Sequence, residues 1–136
     1  MGISCTKGDL GESKVMANLL QHNFKVAIPY GSDWRFDLIA FRRNKFIRIL
    51  VKYARTIDGC IPVRCSKRGT SSYRYFPKMF DYLAVYNPDT DNVYYLPSRM
   101  LKGGRERIHL RLDPSRNNQE KNILWAWEFS HIKIRN

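Results

Sequence analysis

The sequence predicts a mixed α/β (α+β) fold, a central mixed sheet flanked by helices, in one domain over residues 1–136. Three observations predict it. Apolar residues recur at helical spacing near the N-terminus, and short alternating runs separated by turn residues follow in two hairpin-like pairs. The length of 136 residues suits a single core better than two.

The elements read in order. Over residues 7–22, Leu10, Val15, Met16, Leu19 and Leu20 keep helical spacing, with Thr6 or Asp9 available as a cap. Residues 24–29 and 36–42 make two strands separated by the turn-like YGSDWR. Residues 46–53 make a third, joined to the second through the three residues RRN as an antiparallel hairpin. Residues 64–75 are polar, basic and small around Gly69 and Thr70, and read as a loop able to face a polyanion. A second hairpin places residues 80–86 and 93–96 around NPDTDN. A helical turn at 97–101, a strand at 108–112 and a C-terminal helix at 118–129 complete the expectation. No internal repeat or low-complexity linker interrupts the chain.

Lys and Arg number 24 against 12 Asp and Glu, a formal charge of +12 that favours polyanionic partners. Nucleic acid fits this charge. A membrane does not, because the basic residues are spread over strands and loops and no apolar run is long enough to span. Cys5, Cys60 and Cys65 form no CxxC pair and leave an odd thiol, which argues against a disulfide framework and a cysteine zinc site. A reduced, cytoplasmic setting is expected. The N-terminus lacks a signal-peptide core, and its MGxxxT match to a myristoylation pattern comes without a second anchor. No Walker-type glycine loop is present, and His22, His109 and His131 are scattered without metal-ligand spacing.

The most informative stretch is FDLIAFRRNKFIRILVKYA, in which Asp37 begins one strand and Lys52 closes the next inside otherwise apolar runs. A hairpin doubles back, so these two lie side by side despite the residues between them. Period-two alternation puts Leu50 on the same face as Lys52, and Ile49 and Val51 on the other. Phosphoryl chemistry with a divalent metal needs hard oxygen ligands and is assisted by an ammonium that positions water or neutralises phosphate. Asp37 supplies the oxygen and Lys52 the ammonium, and Glu12 on the first helix is a further carboxylate if that helix packs beside the hairpin. Taken singly, an acid and a lysine at strand ends are more simply a structural ion pair, and an acid early in a helix is favoured by the dipole. Their combined order favours a site.

The segments GESKVMANLL, FDLIA and ILVKYA resemble the PD-(D/E)XK nucleases, whose pattern is a helical Glu, a strand Asp and an acid-x-Lys step on the following strand. With the later FDYLAVY and VYYLP hairpin, which contains Asp81 and Tyr94, the chain is similar to the bacterial group I intron-encoded homing endonucleases of that superfamily. Junction resolvases are similar in the first half. The resemblance implies a restriction-endonuclease-like fold and site-specific hydrolysis of double-stranded DNA with Mg2+ or Mn2+. It also implies a homo-oligomer, dimer or tetramer, because two strands must be cut and one small domain offers one site. Catalytic positions map to Glu12, Asp37, Leu50 and Lys52, with metal ligation by Asp37 and Glu12. The departure is Leu50, where the superfamily has Glu, Asp or Gln and the intron-encoded branch Gln. Leucine matches Gln in size but has no lone pair, so an inactive site is expected. Lys67, Arg68, Ser71, Tyr73, Arg74, Tyr75 and Lys78 form the expected DNA surface, and Arg105, Arg107 and Arg111 a second basic set. The alternatives are a Holliday-junction resolvase, a catalytically dead DNA-binding module and an RNA binder.

Overall fold

A computed structural model describes residues 3–67, 73–114 and 123–134 of the chain. In chain order the elements are α1 (Ile3–Gln21), β1 (Lys25–Ala27), β2 (Leu38–Arg42), β3 (Lys45–Tyr53), β4 (Cys60–Arg64), β5 (Ser66–Lys67), β6 (Tyr73–Arg74), β7 (Tyr82–Asn87), β8 (Asn92–Pro97) and β9 (Arg107–Arg111), with 3-10 turns at Ser98–Leu101 and Ala126–Phe129.

A five-stranded sheet runs in the order β1-β2-β3-β7-β8. It is mixed, because β3 and β7 pair in parallel while the other neighbours are antiparallel. Alternation along each strand sorts its side chains into two cores. Ile47, Ile49, Ala84, Tyr86 and Tyr95 face α1 and bury Val15 and Leu19, while Leu83, Val85, Tyr94 and Leu96 face the opposite way. That second face is covered by the β4–β9 ribbon, whose Ile61, Val63, Ile108 and Leu110 are fully buried. The molecule is therefore helix on sheet on ribbon, and α1 is the one α-helix among the described residues.

Several expectations need correction. The helix begins at Ile3, so Thr6 and Asp9 lie inside it rather than capping it, and Leu10 and Leu20 are exposed. The β2–β3 connection is the two-residue turn Arg43-Asn44, both at positive φ (53° and 60°), because Arg42 and Lys45 already pair. Within the expected loop 64–75, Arg64 ends strand β4, which begins at Cys60 where no element was expected, and Ser66–Lys67 and Tyr73–Arg74 pair as strands. The expected C-terminal helix is a 3-10 turn at Ala126–Phe129, and residues 118–122 of it lie outside the described residues. The second face of the sheet thus carries a β-ribbon where helices were expected.

Candidate active site

Asp37 sits one residue before β2 and is tied to β3 at both ends of the residue. Its backbone N–H donates to the Ile49 carbonyl (2.8 Å), and its Oδ2 accepts from the Val51 N–H (2.8 Å). Leu38 pairs with Ile49 and the Asp37 N–H reaches the same Ile49 carbonyl, so Asp37 stands where the β2–β3 register ends. Its Oδ2 is thereby committed to the backbone of β3. Asp37 is half-buried, and burial pushes its pKa up against the lowering effects of the Val51 N–H and of Lys52.

Lys52 lies two residues beyond Leu50 on the same face of β3. Its Nζ donates to the Ser66 carbonyl (3.3 Å) and stands 5.0 Å from the centre of the Tyr75 ring. Residues 66 and 75 thus hold the ammonium from the side opposite Asp37's strand. Leu50 is half-buried, registers with Leu83 of β7 and packs on the ribbon-side core.

Glu12 reaches the group from α1. The helix comes into van der Waals contact with β3 at Gly11, where a Cβ would lie 3.5 Å from Val51 Cγ1. The neighbouring Glu12 is consequently close enough to Asp37 for the two carboxylates to repel. Its pKa is raised, first by burial, then by Asp37 and Asp9. A half-buried carboxylate pair of this kind is relieved by a hard cation, and Asp37 and Glu12 are the residues that would hold one. Leu50 contributes no oxygen, and no group of three or more His, Cys, Asp or Glu suited to a metal exists among the described residues. The donor set fits such an ion in kind and falls one ligand short in number.

The sequence-predicted DNA surface divides. Lys67 is exposed with Nζ 5.8 Å from the centre of the Tyr73 ring, and Tyr73 is half-buried with the Arg35 guanidinium 4.3 Å from the same ring centre. Arg74 is exposed but paired with Glu106 (2.7 Å) and the Gly104 carbonyl (3.0 Å). Lys78 is exposed. Tyr75, at 4 % exposure, belongs to the wall under Lys52 rather than to the surface. Arg68 and Ser71 lie outside the described residues. Arg107 and Arg111 alternate with buried Ile108 and Leu110 on β9, which turns them to the outer face of the ribbon. Asp81 receives the Arg48 side chain at both oxygens (3.1 and 3.2 Å) and the Arg48 N–H (2.8 Å), fastening β7 to β3. Tyr94 is buried in the ribbon-side core. His22 and His131, distant in sequence, stack with ring centres 4.7 Å apart. Sequence reasoning missed Ser66, which acts through its backbone carbonyl and so leaves no side-chain signal, and Arg35, which lay in a segment read only as a turn.

Asp37 lies within electrostatic reach of both Lys52 and Glu12, which gathers the strand acid, the lysine and the helical acid into one group. The profile of the PD-(D/E)XK endonuclease family matches residues 4–132, and the chain belongs to that family. Its members generally use divalent metal ions. The fold is similar to that of a solved structure of a bacterial homing endonuclease, I-Ssp6803I, with a TM-score of 0.73 at 16% identity, covering 94% of this chain and 88% of that one. No curated protein matches the chain. Among the described residues no helix is long and apolar enough to cross a membrane.

Proposed function

We propose that the chain is a site-specific endonuclease of the homing type, acting on double-stranded DNA with Mg2+ or Mn2+ and disabled at Leu50. The observation that carries this reading is Asp37 bonded to the β3 backbone on either side of Leu50, at Ile49 and at Val51, with Lys52 two residues beyond Leu50 on one face of β3. A bound divalent ion would activate water and offset the charge developing on the phosphate. Asp37 and Glu12 would hold the ion, and the Val51 N–H keeps the Asp37 carboxylate oriented. Lys52, steadied by the Ser66 carbonyl and the Tyr75 face, presents its ammonium to the phosphate or the attacking water. Position 50 is where a further oxygen ligand belongs, and the leucine there faces the site with hydrocarbon.

Lys67, Tyr73 and Lys78 form the DNA-facing surface beside this centre, Arg74 joins them when it leaves its exposed pair with Glu106, a small cost, and Arg68 and Ser71, outside the described residues, are proposed DNA contacts from the sequence alone. Two chains or more combine so that both strands are cut. The test is cleavage of randomised and intron-insertion-type duplexes with Mg2+ by the chain as it stands and by Leu50→Gln and Leu50→Glu. Cleavage only after replacement supports the proposal. Silence from all three with duplex binding retained moves the reading to a binding module without catalysis, which the packing of Leu50 into the ribbon-side core also favours.

A further inference from the structure

The connection between β1 and β2, residues 28–35, has a shape that the hairpin does not require. Tyr30 is 98% exposed, Ile28 69% and Trp34 53%, so three large apolar side chains stand out on one short loop. Burying none of them forfeits stability that a solvent-facing polar loop would not forgo. The loop is also closed on itself, because the Trp34 indole N–H donates to the Tyr30 carbonyl at 2.6 Å and Gly31 supplies the positive φ (106°) of the bend. The Trp34 ring is thus held against the loop backbone before any partner arrives, and the Tyr30 ring projects into solvent beside it.

The position of this loop identifies the partner. Trp34 meets Phe36 edge to face at 5.4 Å, and the next residue is Asp37. Arg35 lies over Tyr73 at 4.3 Å, Tyr73 meets Tyr75 at 6.0 Å, and Lys52 lies over Tyr75 at 5.0 Å. Cations and ring faces therefore run without a break from the loop to the centre of the site. A polyanion carrying flat rings matches that surface on both counts, with Arg35 and Lys52 supplying charge and the exposed Tyr30 and Trp34 supplying ring faces. We infer that residues 28–35 are a second DNA-contacting arm, in which Tyr30 and Trp34 wedge into a base step of the duplex next to the phosphate at Asp37 and stack on the opened base faces, while Arg35 contacts the backbone. This rests on the reading of the chain as a DNA-binding nuclease and adds to it an element that grips the duplex at an opened base step.

The experiment is fluorescence anisotropy of a labelled duplex with the full chain in EDTA, where nothing is cut, over a series of salt concentrations. Tyr30→Ala, Trp34→Ala, Trp34→Phe and Arg35→Ala are compared with the parent, each checked for an unchanged melting transition. Loss of one base stack weakens binding by roughly fivefold or more. Tyr30→Ala and Trp34→Ala are expected to show that loss with the salt slope unchanged, because a ring releases no counterion, and Trp34→Phe to retain most of the affinity. Arg35→Ala is expected to reduce the slope by about 0.9. Tyr30 has no side-chain bond to lose, so its variant remains decisive if Trp34→Ala loosens the loop. Parental affinity in both Tyr30→Ala and Trp34→Ala overturns the inference, and so does parental affinity combined with a smaller assembly by sedimentation, which would make the loop a subunit contact. A parent that binds no DNA at any salt overturns the nuclease reading itself.

Discussion

Replacing Leu50 by glutamine sets a stability loss against a catalytic gain, and both can be sized. Full burial of a leucine side chain contributes about 1.5–3 kcal/mol. Leu50 is half-buried against the ribbon-side core, so exchanging it for a polar side chain of similar length costs on the order of 1 kcal/mol, or a melting temperature lower by roughly 3–5 °C. The gain is larger. A missing group that stabilises transition-state charge lowers turnover by about 100- to 1,000-fold, so the repaired chain is expected to cut at least about 100 times faster than the parent. The assay is single-turnover cleavage with Mg2+, with melting followed in the same buffer. Leu50→Glu adds a third carboxylate beside Asp37 and Glu12, whose pKa values are already raised, and is expected to melt below Leu50→Gln in EDTA and to recover with Ca2+. A ligand at a hundred times its Kd stabilises by about 2.7 kcal/mol. Equal cleavage by the parent and Leu50→Gln would refute the reasoning, because an oxygen at position 50 would then contribute nothing.

Three further outcomes follow from the same geometry. In the Leu50→Gln chain, Tyr75→Phe is expected to keep cleavage and Tyr75→Leu to lose roughly fivefold, since a ring face under the Lys52 ammonium contributes about 1 kcal/mol; comparable rates in the two would remove Tyr75 from the support of Lys52. Asn87, fully buried, bonds Ala54 and Thr56 through its Nδ2 and Thr90 through its Oδ1, so Asn87→Ala is expected to cost about 3 kcal/mol by urea unfolding, and a cost under about 1 kcal/mol would show that these bonds are replaced by water. Lys67→Ala is expected to reduce the salt slope of duplex binding by about 0.9, and an unchanged slope would place Lys67 off the DNA.

The hairpin that carries Asp37 and Lys52 was legible because its two strands are adjacent in sequence and alternate cleanly, so register alone decided which side chains share a face. The same logic recovered β7, β8 and the turn at Ser98–Leu101. It failed where pairing is non-local or elements are very short. β4 is broken in sequence by Pro62 and finds its partner in β9, more than forty residues later, so neither strand predicts the other. β5 and β6 have two residues each, below the length at which alternation is visible. These unseen strands bring Ser66 and Tyr75 to Lys52, so the ammonium was legible and its support was not. The length of the β2–β3 turn was misread because Arg43 is an uncommon residue at positive φ.

Asp37 and Lys52 each have structural partners as well as chemical ones, which weakens them as evidence for catalysis. Asp37 holds the Val51 N–H and Lys52 the Ser66 carbonyl, so a scaffold without activity still has use for both. Glu12 is different. It makes no hydrogen bond or ion pair among the described residues, and burial and the Asp37 carboxylate raise its pKa. An acid whose folded pKa is raised favours the fold only while protonated. That contribution is present below its ordinary value of 4.5 and is lost as pH rises through the folded value, so ionised Glu12 is a net cost at neutral pH. Glu12→Gln is therefore expected to match the parent's stability well below pH 4.5 and to exceed it at pH 7, with the excess developing across the pH range above 4.5. In the Leu50→Gln chain the same substitution is expected to lower cleavage and the stabilisation by Mg2+. Such a pairing, a fold improved and a site impaired by one change, identifies a side chain placed for its ligand. If Glu12→Gln instead melts below the parent at pH 7, the carboxylate supports α1 on β3, and the case for a three-part site contracts to Asp37 and Lys52.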